Sequence, residues 1–237
     1  MLVRLLILVL ICVPICVPVC VPTARSNPLT SVSETVNKRA STHFRLSTAE
    51  PIDPREIARL FSLLESNQTM LERRLGGAGI KFEWPRIEIF VNKTTGDFVG
   101  RTGMPPWAAA ATRNNRIELQ PVSLLKRRGI LETTLRHELV HVVVDAIGGK
   151  QTPRWLAEGL ALYIAGEGKL LEPYAKGPAP SPNDLERKLS SAKSADEMKA
   201  AYAAAYKTVR GMVRVEGENK LWQRVARRSY DVSATAR

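Results

Sequence analysis

Apolar residues recur with a helical period over much of this chain and with a strand period at three places before the long helical second half. Ile57, Leu60, Phe61, Leu64, Leu71 and Leu75 follow helical spacing, and Asp53-Pro54 ahead of them joins a capping carboxylate to a proline at the first helical position. The pattern predicts a packing helix from Asp53 to the Gly76-Gly77 stop. Thr42 to Ser47 alternates as a half-buried strand does. Pro85 to Val91 is a clearer strand, with Ile87, Ile89 and Val91 on one face and Phe90 on the other. Arg116 to Gln120 is a further candidate strand, separated from it by a polar, glycine-containing stretch that reads as a loop. A small antiparallel or mixed sheet is expected, with a long helix from Leu124 or Ile130 to Ile147 packed on it.

The second half reads as helical. Thr152-Pro153 has the form of a cap followed by a first-turn proline. Helices are also expected near Asn183 or Asp184, over Ala195 to Val213, and over the short basic stretch Leu221 to Arg228, with a tail after Ser229. The fold class is therefore α+β, a small sheet on a central helix followed by a helical C-terminal part.

The N-terminus carries another pattern. Met1 to Val21 has one early charge, Arg4, before a long apolar run, and Ala24 to Ser26 supply small residues, the layout of a secretory signal peptide. Cleavage near Ser26 would remove Cys12, Cys16 and Cys20, the three cysteines of the chain, so neither disulfides nor sulfur ligands are available to the exported protein. The alternative is an uncleaved membrane anchor, against which Pro14, Pro18 and Pro22 argue. The expected plan is a leader at 1–26, a polar linker at 27–40, a folded domain at 41–217, and a basic helix and tail at 218–237.

Thirty-five Lys and Arg against 23 Asp and Glu give a net charge of +12, which favours anionic neighbours such as an envelope surface. The basic residues are scattered and carry no nucleic-acid motif, so nucleic acid is not an expected partner. The oligomeric state is not encoded in any pattern.

Chemistry concentrates in the long helix. His137 and His141 stand four residues apart, so both imidazoles lie on one face and reach a single ion, while Glu138 between them is placed to meet a water beside it. Separated from His141 by sixteen residues, Glu158 sits in the apolar run Trp155 to Tyr163, where a buried carboxylate requires a partner. Gly159 and Ala161 would let its helix approach the His137 helix closely. Together His137, His141 and Glu158 make a two-histidine, one-carboxylate site for one Zn²⁺ per chain, with a fourth position left for water. Asp145, one turn past His141, either orients a ligand or caps the helix end. His43, the remaining histidine, reads as structural.

His137-Glu-Leu-Val-His141 followed by Pro153-Arg-Trp-Leu-Ala-Glu158-Gly-Leu-Ala-Leu-Tyr163 resembles the peptidase MA-like gluzincins and, more distantly, the aminopeptidase-N-like family. The likeness covers roughly Ser41 to Val215 and extends to the Ala201 to Arg210 stretch. It implies a zincin-like fold and a zinc metallopeptidase acting on a peptide or protein substrate. Glu138 would be its general base, and Tyr202, preferred over Tyr206, would be the donor to the oxyanion. The Gly-x-Met-Glu-Asn segment that holds a substrate's free amine is missing, and Gly103-Met104-Pro105-Pro106 does not replace it, so endopeptidase activity is favoured. Two other classes stand beside this reading: a non-catalytic envelope protein that keeps the fold, and a basic cell-surface binding module.

Overall fold

A computed structural model of the chain describes residues 4–5, 37–178, 180–228 and 230. The leader cleavage site and most of the expected tail lie outside the described residues. No helix among the described residues is long and apolar enough to cross a membrane.

The first half folds into a mixed sheet, and the strands predicted from alternation are present. They are β1 (Arg4–Leu5), β2 (Asn37–Ala40), β3 (Phe44–Thr48), β4 (Ile87–Val91), β5 (Ala110–Arg113) and β6 (Arg116–Leu119), in the spatial order β1-β5-β6-β4-β3-β2. β3 and β4 run parallel, joined by α1 (Pro54–Gly77), and β4 and β6 also pair parallel, whereas the β2–β3, β5–β6 and β1–β5 pairs are antiparallel. Asp53 caps α1 by accepting from the Arg55 amide, as its Asp-Pro start implies.

Three features depart from the sequence reading. Asn37 to Ala40, assigned to the linker, is a strand whose register runs from Asn37 opposite Thr48 to Ala40 opposite Arg45. The stretch assigned to a loop contains α2 (Thr95–Thr102), closed by a reciprocal Thr94–Asp97 capping box, and all of β5. Of the two starts expected for the long helix, Ile130 is the one observed, as its N-cap, and the Leu124 stretch is instead a separate helix. α3 (Val122–Arg127) stops before Gly129, which takes a left-handed φ of 66°, and α4 (Leu131–Gly148) begins after it.

α4 is buried on nearly every side, from Leu131 through Val144, because β5, α1, α5 (Arg154–Ala165) and α9 (Glu218–Arg227) all pack on it. Val140, Val142, Val143 and Val144 are poor helix formers, so this packing and not local propensity holds the helix. α5 lies between α4 and α8 (Ala195–Glu216), with α6 (Gly168–Leu171) and α7 (Pro182–Ser191) at its sides. α9 packs into the same core, since Leu221, Trp222 and Val225 have no exposed surface. On the opposite face of the sheet, α2 covers a smaller apolar cluster of Phe98, Met104, Ala108 and Ala111.

Candidate metal centre

α4 and α5 bring the three expected ligands to one point. His137 and His141, one turn apart, turn their Nε2 atoms toward each other at 3.1 Å, and Glu158 from α5 places Oε2 3.5 Å from the first and 3.4 Å from the second. A tetrahedral ion with bonds of about 2.0–2.1 Å separates its ligand atoms by about 3.3 Å, so this triangle has the size of one face of such a coordination sphere. His137 and Glu158 have no exposed surface and His141 has 1%. Neither Glu158 oxygen receives a hydrogen bond, and the nearby guanidinium of Arg154 lies 3.8 Å from Oε1, so Oε2 is a buried carboxylate oxygen for which a cation in the triangle would be a partner. The donor set therefore fits a metal ion, which these residues lie close enough to hold.

Electrostatics agree with that geometry. Burial lifts the Glu158 carboxyl, but His141 and His137 outweigh it and hold the group well below the usual carboxylate range. Burial lowers His137, and the Glu167 and Glu158 carboxylates more than reverse this, pushing it up to about 10. Glu138, wholly buried and outside the ligand triangle, is pushed up to about 7 by burial, against the lowering effects of His137 and of the hydrogen bond that Thr112 donates to its Oε2. A carboxylate near 7 is matched to taking and returning protons at neutral pH.

Three contributors were not readable from sequence. Glu167, 2% exposed, accepts from His137 Nδ1 at 2.8 Å and so directs the Nε2 lone pair into the triangle. It lies just past α5, where Gly166 turns at a φ of 79°, and no periodic signal marks it. Thr112 belongs to β5, whose Ala-rich sequence lacks the alternation of a strand. Arg154, in the first turn of α5, puts Nε 3.8 Å from Glu158 Oε1 and donates from Nη1 to the Leu189 carbonyl, facing the carboxylate oxygen that points away from the histidines.

Other expectations find different places. Thr152 does not cap α5, whose N-cap is Pro153; the Thr152 hydroxyl instead lies 3.1 Å from the Tyr230 hydroxyl. Gly159 serves a close approach to α8 and not to α4, because a Cβ there would lie 2.6 Å from the Ala205 carbonyl oxygen. Tyr202 is fully buried in α8, and Tyr206 packs over Gly168. His43 lies outside the centre, its Nδ1 3.0 Å from the Gln68 amide nitrogen. The backbone carbonyl of Asp145 accepts from Gly149 at the end of α4.

No family model, curated protein or solved structure matches the chain.

Proposed function

We propose that this protein is an exported zinc-dependent peptidase of the gluzincin type, with a zincin-like fold, that hydrolyses internal peptide bonds. The observation that carries the reading is the separation of roles inside one buried centre. Three atoms, His137 Nε2, His141 Nε2 and Glu158 Oε2, form a ligand triangle, and a fourth group, Glu138, stays out of it at a value near 7. Two imidazoles and one carboxylate without sulfur suit zinc with an open position. When bound, zinc would polarise the scissile carbonyl and make a water acidic enough to attack it. Glu138 takes the proton of that water and delivers it to the leaving amine, and Thr112 keeps the Glu138 carboxylate oriented during both transfers. Glu167 holds His137 in one tautomer, and Arg154 steadies the outer oxygen of Glu158. Tyr202 is assigned the donor that meets the oxyanion, an assignment that rests on the family resemblance.

The test separates metal from chemistry. Glu138→Gln should keep one zinc per chain by elemental analysis and lose about 10²–10⁴ in hydrolysis of a mixed peptide library, whereas Glu158→Gln should lose the metal. Wild-type rates from a zinc-loaded Glu138→Gln protein would refute the mechanism. A metal-loaded wild-type protein that cleaves nothing would favour the non-catalytic alternative.

A further inference from the structure

The edge of the sheet beside Glu138 carries a charge arrangement that the hydrolytic centre does not use. β5 pairs with β6 on one side, and its other side is open to an antiparallel partner. Arg4 and Leu5 occupy that side, opposite Thr112 and Ala111, so the backbone groups on this edge of β5 are placed to pair with an extended chain. Side chains along β5 alternate. Thr112 turns inward to Glu138, while Ala111 packs with Phe98 and Met104 on the outer face. Cross-strand partners share a face, so any peptide paired with β5 presents to the outer face the residue opposite Ala111 and the one opposite Arg113.

A cavity of about 380 Å³ waits on that face, lined by Arg101, Ala111, Arg113, Arg116 and Glu118 and reaching Thr112. Among the described residues that line it, three guanidinium groups accompany one carboxylate. Glu118 accepts from Arg116 at 2.9 and 2.7 Å and from Arg101 at 3.4 Å, and Arg101 stacks over the Phe90 ring at 3.9 Å. Arg113, exposed at the end of β5, has no acidic partner among the described residues. The alanine floor leaves room, the bound Glu118 holds two of the arginines in place, and the net charge of the cavity stays positive.

We infer that this cavity is a specificity subsite for an acidic side chain of an extended peptide bound along β5, with Arg113 as the principal contact. Its position next to the scissile bond rests on the peptidase reading. The binding itself does not. A carboxylate opposite Ala111 meets planar donors suited to paired hydrogen bonds, and a lysine there meets like charge. β1 and such a peptide would compete for the same edge.

Binding and cleavage of labelled short peptides, alike except for Glu, Ala or Lys at alternate positions, test this on the purified protein. Fluorescence anisotropy at low salt should give the Glu peptide about ten-fold tighter binding than the Ala peptide, and the Lys peptide weaker binding than either. Arg113→Glu should remove the preference and Arg113→Ala should reduce it. Arg59→Glu, the same charge change at an exposed site on α1, should keep it. Equal binding of all three peptides, no binding of any, or an equal loss in the Arg59 and Arg113 variants would overturn the subsite. Hydrolysis of the same peptides separates the two proposals. Acid-selective binding without cleavage by zinc-loaded protein refutes the peptidase reading alone, and cleavage without acid selection refutes the subsite alone.

Discussion

Glu167 offers the sharpest test of how the centre is held. Its carboxylate is 2% exposed and accepts from His137 Nδ1 at 2.8 Å, so it both orients the ring and adds electron density at the nitrogen that faces the triangle. Glu167→Gln keeps an acceptor but removes the charge, whereas Glu167→Ala removes both. Loss of such a partner commonly weakens metal binding about 10–100-fold, or about 1.4–2.7 kcal/mol, so the glutamine variant should fall near the lower figure and the alanine variant near the upper. The pH dependence adds a signature. In the metal-free protein the Glu167 charge is the largest influence raising His137, whose value reaches about 10, so at neutral pH a metal ion would have to displace a proton from it. Removing that charge weakens His137 for protons as well as for zinc, which offsets part of the loss at low pH. The ratio of variant to wild-type dissociation constants should therefore grow as pH rises from about 6.5 toward 8.5. Competition with a chromophoric chelator measures the constants, and urea unfolding of the metal-free proteins checks that the fold persists. A ratio of one, or a ratio that does not change with pH, in folded variants would show that Glu167 only fills space.

Two further outcomes follow from single contacts. Gly159→Ala gains about 1 kcal/mol of helix propensity, yet its Cβ would lie 2.6 Å from both the Ala205 carbonyl oxygen and Val209 Cγ2. Neither backbone can swing away, so a net loss of about 1–3 kcal/mol in urea unfolding is expected, with weaker zinc binding because Glu158 adjoins the displaced turn; a gain in stability would refute the close approach. Thr112→Val removes the hydrogen bond that lowers Glu138, so Glu138 should titrate higher and the acid limb of the pH profile of kcat/KM should move up. An unmoved limb would mean that Thr112 does not act on the base.

What could be read from the chain before folding was local. The Asp53-Pro54 start of α1, the β4 alternation and the four-residue interval between His137 and His141 all depend on groups within one or two turns of each other, where chain geometry alone sets who faces whom. Glu158 was also legible, since a carboxylate inside the apolar run from Trp155 to Tyr163 demands a partner wherever that run is buried. β2 was not legible because it is exposed over three of its four residues and has no apolar alternation to mark it. β5 was hidden for a related reason: Ala110 and Ala111 are small and buried on opposite faces, between α4 on one side and α2 on the other.

Tertiary structure decided the rest through contacts between residues far apart in sequence. Thr112 reaches Glu138 across 26 positions, and His137 reaches Glu167 across 30. Neither pair has a periodic relation, and each forms only because burial in a shared core leaves a polar group no partner but the one packing brings to it. The same holds for Gly159, whose missing side chain is required by α8 and by nothing nearby in its own helix. Sequence alone thus determined which residue types could bind a metal and on which helical face two of them stand. Packing determined the size of the triangle, the carboxylate beside His137 and the strand that holds Glu138, because those depend on where separate elements come to rest against one another.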